Sequence, residues 1–160
     1  RLYPNYHGYS LGDPAVARLF SKAADRNMIV QIALSMEDPR TQFPLMHVPS
    51  VDPAPLSDLI PQIPQLRLVL LNAGYWARST DPKVLMIRNS DNVYFDIAMD
   101  EGVGGLVRLI EATSPSRVVF GSHYPFFYFE SALLKVRSAG LPRDQERAIY
   151  ERNAQSLLVG

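Results

Sequence analysis

The segment Val118-Val119-Phe120-Gly121-Ser122-His123-Tyr124-Pro125 predicts a short buried strand with a turn behind it. Val118–Gly121 is almost wholly apolar, as strands of a covered parallel sheet are. Gly121 lets another part of the backbone approach closely, and Pro125 forces the chain to turn. Because side chains alternate along a strand, Gly121 and His123 share one face.

Four further strand patterns precede this segment, and a helix pattern follows each predicted strand. The earlier strands are predicted, in order, at Leu2–Pro4, Met28–Leu34, Leu66–Leu71 and Val93–Ile97. Helices are predicted to open where an Asp cap precedes a Pro in the first helical position, at Asp13-Pro14, Asp52-Pro53 and Asp81-Pro82. The remaining predictions are helices at Val103–Ile110, Phe129–Ser138 and Arg143–Leu158 and a turn at Asn5–Tyr9.

Five strands that alternate with helices predict a parallel sheet with right-handed crossovers. Such a sheet is either open and doubly wound or part of a (β/α)8 barrel. A barrel of about 250 residues spends about 31 on each strand–helix unit, so the 160 residues of this chain fit five units. Polar side chains on the inner strand faces favour the barrel. We therefore expect residues 1–160 to form a single α/β domain, the C-terminal five βα units of a partial TIM barrel.

Three polar residues lie at or just beyond the carboxyl ends of predicted strands. Asn72 ends the third strand, Asp96 lies inside the fourth, and His123 follows the fifth. Parallel α/β folds place their chemistry at this edge, so we predict Asp96 and His123 as catalytic residues and Asn72 as a substrate-binding residue. The alternatives are a helix cap or turn for Asn72, a structural ion pair for Asp96 and a satisfied structural histidine for His123.

Loop residues supply the other candidates. His7 lies between aromatic residues in a glycine-containing loop, and Arg40 could bind an anion, although a solvated charge cluster explains Arg40 equally well. We predict both as substrate-binding. The long, proline-bearing loop at 35–51 contains His47 and resembles a lid over a cavity or a subunit contact more than a metal site.

Composition excludes several classes of protein. The 16 basic and 16 acidic residues balance, which argues against a nucleic-acid-binding surface. No apolar run approaches the roughly 20 residues that a membrane span needs, and no signal-peptide pattern opens the chain. With no cysteine, the chemistry rests on three histidines, carboxylates, hydroxyls or a metal bound by oxygen and nitrogen. We expect a cytoplasmic protein.

The sequence resembles the amidohydrolase-related TIM-barrel hydrolases of the amidohydrolase 2 type. Arg117 and the strand after it resemble that family's last-strand signature, in which an arginine-led strand runs into Phe-Gly-Ser-Asp-x-Pro. The end of the chain, Ile149–Leu158, resembles its terminal helix with Asn-Ala-x-x-Leu-Leu. Further similar segments are Tyr3–Pro14, Pro64–Gly74 and Asn92–Ile97, so the resemblance covers nearly the whole chain.

The resemblance implies a hydrolase, or a decarboxylase, that acts on a small acid, amide or ester at the barrel mouth. Family members bind one or two divalent metals, often zinc, through a His-x-His pair on the first strand, histidines on the fifth and sixth, and an aspartate on the eighth. A divalent metal lowers the pKa of bound water toward about 7, which makes hydroxide available at neutral pH.

The implied ligands are largely missing here. In the family's barrel numbering, Ala33 stands at the position of the histidine on strand five and Asn72 at that of the histidine on strand six. His123 stands where the family has the aspartate of strand eight. The standard binuclear site is therefore not supported. The resemblance still implies a single divalent metal, with zinc as the preferred ion and His123 as its ligand.

Three interpretations stay open. The first is a divergent hydrolase or lyase in which His123 acts as general base or sole metal ligand, assisted by Asp96 and His7. The second is a barrel without catalysis that binds a ligand or forms oligomers, and the third is an open-sheet binding domain. Because five strands would leave open edges, we also expect a homo-oligomer or a fragment of a longer chain.

Overall fold

The computed structural model describes residues 1–38, 40, 42–46, 48–74 and 76–159. Its centre is a four-stranded parallel sheet in sequence order, formed by β1 (Ile29–Ala33), β2 (Arg67–Leu71), β3 (Val93–Asp96) and β4 (Val118–Val119). Helices α1 (Pro4–His7) and α2 (Pro14–Asp25) precede β1, and α3 (Leu56–Leu59) and α4 (Pro82–Asn89) flank β2. The others are α5 (Gly105–Ala112), α6 (Phe129–Ser138), α7 (Arg143–Arg147) and α8 (Asn153–Val159).

The four predicted inner strands are confirmed, and they are shorter than predicted. β4 covers Val118 and Val119 alone, because the next backbone N–H, that of Phe120, donates to the carbonyl oxygen of Ile149 instead of to a neighbouring strand. The first predicted strand survives as one parallel bridge between Leu2 and Ile32. Each strand aligns in parallel with the next, so all carboxyl ends lie on one edge.

Several local predictions need correction. Asn5–Tyr9 is not a plain turn, because α1 occupies most of it and Gly8 ends that helix in the left-handed conformation at φ 68°. The helix expected at Asp52-Pro53 begins at Leu56, because the Asp52 carboxylate accepts the N–H of Ala54 in a turn. The long C-terminal helix is divided by a π-helical segment, Ala148–Arg152.

The outer face of the sheet packs on the helices. Val30, Ile32, Leu68, Leu70 and Phe95 point to this side and belong to one apolar core with helix residues such as Phe20 and Leu106. Complete burial of such a side chain contributes about 1.5–3 kcal/mol. The outer layer therefore supplies most of the apolar stabilisation of the domain.

The inner face of the sheet is polar at one end and apolar at the other. Val69 and Val119 pack with Leu157 of α8, which crosses this face. Asp96 and Tyr94 project to the same side as predicted, since the apolar side chains that alternate with them lie in the outer core. No helix in the described part of the chain is long and apolar enough to cross a membrane.

Candidate active site at the carboxyl edge of the sheet

The three polar residues predicted at strand ends line one cavity. Asn72, Asp96 and His123 face a space of about 530 Å³ between the carboxyl edge of the sheet and α8. Apolar side chains of the inner strand face and of α8 form the rest of the wall, including Ile29, Val69, Leu71, Val119 and Leu157. An apolar space with a few convergent polar groups is the usual form of a small-molecule site.

Asp96 is buried and its carboxylate is held by backbone groups. Its Oδ1 accepts the N–H of Asn72 at 2.7 Å, and the N–H of Ala98 also donates to the carboxylate. Burial raises the pKa of Asp96 to about 6, against the two hydrogen bonds and the charges of Lys135 and Arg1, which lower it. A carboxyl group with this pKa can both give and accept a proton near neutral pH.

Asn72 connects the other two residues. Its backbone is in the left-handed region at φ 57°, which asparagine tolerates better than most residues. Its side-chain Nδ2 donates to the carbonyl of Ser35 at 2.6 Å and lies 3.4 Å from Nδ1 of His123. Its Oδ1 is buried without a hydrogen-bond partner among the described residues. An unused buried acceptor costs about 1–3 kcal/mol, so a ligand with a donor group would recover that energy.

The hydrogen bonds of His123 determine its tautomer. Nε2 lies 2.7 Å from the carbonyl oxygen of Met36, which only accepts, so Nε2 carries the proton. Nδ1 is then the basic nitrogen, and it has the long contact with the Asn72 amide. The imidazole also stacks on Phe126, with 5.2 Å between ring centroids. These contacts fix the ring with its basic nitrogen toward Asn72.

Arg1 and Gln31 also line this cavity, although neither was predicted from the sequence as a site residue. Arg1 lines it, and its Nε donates to Oε1 of Gln31 at 2.8 Å. Gln31 faces inward on β1, so strand alternation signals its position. The position of Arg1 has no comparable signal, because the strand to which it leads is a single bridge at Leu2. Arg1 gives the cavity a cation for an anionic ligand.

Arg40 lies in a second cavity that shares Asn72 with the first. This space of about 420 Å³ is lined by the loop after β1 and by residues such as Trp76 and Glu101. The Arg40 guanidinium is largely exposed, pairs with Asp38 and donates to Glu101 at 2.8 Å. Arg40 therefore lies apart from Asp96 and His123, with its charge already matched by two carboxylates.

His7 is not brought to the other candidates. It lies at the end of α1, is exposed, and has its ring against those of Tyr3 and Tyr9 at centroid distances of 6.1 and 6.4 Å. It lines neither of the two cavities. His47 lies outside the described residues.

The described residues do not by themselves make a divalent-metal site. A catalytic zinc needs about three protein ligands beside its water. The larger cavity offers the imidazole of His123 and the carboxylate of Asp96, and no group of three or more His, Cys, Asp or Glu that could hold a metal occurs in the described part of the chain. Both His123 nitrogens also have protein contacts. The zinc ligand role of His123 stays a prediction.

Comparison with known proteins places the chain in a family. Residues 1–158 match the family model described as amidohydrolase. No curated protein matches the chain. Among solved structures, a 2,6-dihydroxybenzoate decarboxylase from Rhizobium is similar at 14% identity with a TM-score of 0.70, over 95% of this chain and 58% of that one.

Two further structures extend the comparison. An uncharacterised TIM-barrel protein from Bordetella bronchiseptica is 18% identical with a TM-score of 0.72, over 94% of this chain and 52% of that one. A dihydroxybenzoic acid decarboxylase from Polaromonas sp. JS666, solved with manganese and 2-nitroresorcinol, is 15% identical with a TM-score of 0.67, over 94% and 55%. The chain thus spans between half and three-fifths of these relatives, and its parallel sheet is part of a TIM barrel, as predicted; the open-sheet alternative was wrong.

Proposed function

The chain belongs to the amidohydrolase family, and we propose that its larger cavity binds a small-molecule acid, ester or amide and transforms it by proton transfer from and to Asp96 and His123. The observation that carries the proposal is the bridge through Asn72, whose backbone N–H holds Asp96 while its side chain contacts His123. A protonatable carboxyl and a basic imidazole nitrogen thereby open on one space.

The ligand class follows from the polar groups of the cavity. The Arg1 guanidinium would pair with a carboxylate, and Oδ1 of Asn72 would accept a hydroxyl or amide N–H of the ligand. The apolar wall would hold a ring or short chain. A carboxylic acid or its derivative with a neighbouring donor group fits all three features.

In hydrolysis, His123 would act as the general base and Asp96 as the general acid. Nδ1 of His123 takes a proton from water as the water oxygen bonds to the substrate carbonyl carbon. Protonated Asp96 then gives its proton to the leaving nitrogen or oxygen as the bond from that atom to carbon breaks. A proton passes from His123 through solvent to Asp96, which restores both groups.

Decarboxylation would use Asp96 alone as the acid. The protonated carboxyl group gives its proton to the substrate carbon that carries the carboxylate. The bond from that carbon to the carboxylate then breaks, carbon dioxide leaves, and the electron pair stays with the protonated product. The pKa of Asp96, raised to about 6 by burial, favours this role because it keeps part of the carboxyl protonated near neutral pH.

Metal chemistry is not used in this proposal. The family resemblance implies one divalent ion, and a relative was solved with manganese. The described donors fall short of a complete site, so no step above is routed through an ion.

A second candidate function is binding without turnover. The observation that favours it is the contact of both His123 nitrogens with protein groups, which leaves the base partly engaged. The cavity would then take the same acids as ligands.

The experiment compares turnover in the wild-type chain and two variants. Aryl esters, aryl amides and 2,6-dihydroxybenzoate are assayed with His123→Gln and Asp96→Asn, with the exposed Arg18→Gln as a control. Loss of a general acid or base should lower the rate by about 10²–10⁴-fold. Undiminished rates in both variants would refute the catalytic assignment, and acid binding without turnover in the wild type would establish the second candidate.

A further inference from the structure

Lys135 contacts the backbone that directly follows the site residue Asp96. It lies on α6, is half-buried, and its Nζ donates to the carbonyl oxygens of Ile97 at 2.6 Å and Ala98 at 2.9 Å. These two residues directly follow Asp96 at the end of β3. A lysine ammonium is costly to bury, so its position here requires matched acceptors.

The two carbonyls connect Lys135 with the carboxylate of the site. The same Ala98 that accepts from Lys135 donates its own N–H to the Asp96 carboxylate. The orientation of the Ile97-Ala98 turn therefore decides whether that donor points at Asp96. On the other side the carboxylate is fixed by the N–H of Asn72.

Charges around Lys135 agree with this arrangement. Asp96, Asp100 and Glu101 all attract its ammonium group, while burial lowers its pKa. Asp100 itself pairs with Arg78 and is also near Arg108. Asp96 is faced by the cations of Lys135 and Arg1, both of which lower its pKa.

We propose that Lys135 is a positioning residue, which fixes the Ile97-Ala98 turn and so holds the Asp96 carboxylate for proton transfer in the cavity. The inference rests on the proposed function, in which Asp96 moves the proton. Lys135 is not among the residues that line the larger cavity, so it acts on Asp96 through the turn and without contact with the substrate.

The test follows the Asp96 carboxyl carbon by NMR during a pH titration of the full chain. The wild-type midpoint is expected at about 6. Lys135→Met removes the charge and the two donors, so the midpoint should rise by about one pH unit. Lys135→Arg keeps a cation and should leave the midpoint near that of the wild type, and the exposed Lys22→Met serves as the matched control. Where a substrate is turned over, the pH profile should move in the same direction.

Two outcomes would overturn the inference. One is a folded Lys135→Met variant with an unchanged Asp96 midpoint. The other is measured in the wild type, so it applies even where the variant does not fold. The Cε chemical shift of Lys135 should change at the pH at which Asp96 titrates. A Cε shift that stays constant through that pH contradicts an interaction between Lys135 and Asp96. Absence of turnover in the wild type would refute the proposed function, while the carboxyl titration would still decide the role of Lys135.

Discussion

Gly121 and Asp96 lie so close that a β-carbon on Gly121 would stand 2.6 Å from Oδ2 of Asp96 and 3.0 Å from its Cβ. The carboxylate has little freedom to move away, because its Oδ1 accepts the N–H of Asn72. Glycine at this position is therefore a condition for a carboxylate at the end of β3. The sequence signal for close approach at Gly121 corresponds to this contact.

Substitution of Gly121 by alanine should lower stability and displace the carboxylate. Because the added methyl group overlaps a buried side chain, the free energy of unfolding should fall by about 1–3 kcal/mol in urea denaturation. Gly12→Ala is the control, since its β-carbon would meet no atom closer than 3.6 Å. That control should change stability by less than about 1 kcal/mol. Equal stability of the Gly121 variant and the wild type would show that Asp96 moves freely.

Because of Asp96, the free energy of unfolding should fall as the pH rises from about 4 to 6. Folding raises its pKa from the ordinary 3.8 to about 6, so the folded state binds this proton more tightly than the unfolded state. Stability from this group is thus present at low pH and is lost through that window, by roughly 3 kcal/mol in total. Urea denaturation of wild type and Asp96→Asn at several pH values isolates the effect as the difference between their slopes. Parallel curves would contradict the raised pKa.

Strand alternation was sufficient to predict half of the site. It placed Asp96 on the inner face and His123 beyond the last strand, because period-two patterning and the common edge of parallel strands are local features of the sequence. The alternation of strands and helices predicted the parallel sheet of the partial barrel, while the family resemblance came from the motifs around Arg117–Pro125 and Ile149–Leu158.

The other half depends on contacts between residues distant in the chain. The bond from His123 to the Met36 carbonyl spans 87 positions, and that from Lys135 to Ile97 spans 38. No local pattern specifies which loop carbonyl an imidazole or an ammonium will meet. His7 was predicted from its aromatic neighbours, and those neighbours are its actual contacts, Tyr3 and Tyr9, on an exposed helix end.

Two variants of Asn72 should separate backbone strain from loss of the side-chain amide. Both Asn72→Ala and Asn72→Gly remove the hydrogen bond to Ser35. Alanine must also adopt φ 57°, which costs roughly 1–2 kcal/mol more than in glycine. We therefore expect Asn72→Gly to be the more stable variant and both to be less stable than the wild type, as measured by thermal and urea unfolding. The reverse order would mean that the backbone leaves the left-handed region.

The buried ion pair between Asp100 and Arg78 should contribute far more to the free energy of unfolding than an exposed ion pair. Asp100 is 2% exposed and pairs with Arg78, while its Oδ2 has no hydrogen-bond partner among the described residues. Arg78→Met leaves that carboxylate buried without its main cation and should cost about 3–5 kcal/mol of unfolding free energy. Addition of Asp100→Asn should recover part of the loss. Arg147→Met, which breaks an exposed pair with Glu151, should cost less than about 1 kcal/mol.

Arg1 should set the affinity of the larger cavity for carboxylates. Arg1 lines that cavity, its guanidinium donates a hydrogen bond to Gln31, and it is the cation through which an acid would be recognised. In NMR titrations with 2,6-dihydroxybenzoate, Arg1→Met should weaken binding by about tenfold or more, since a charge-assisted hydrogen bond contributes roughly 1.5–3 kcal/mol. The methyl ester of the same probe, which has no charge to pair, should bind the variant and the wild type alike. The exposed Arg18→Met controls for net charge, because it removes the same cation from α2 at a distance from the cavity wall. An equal loss of affinity for acid and ester would mean that Arg1 supports the cavity structurally, and the acid specificity would then have to come from another residue.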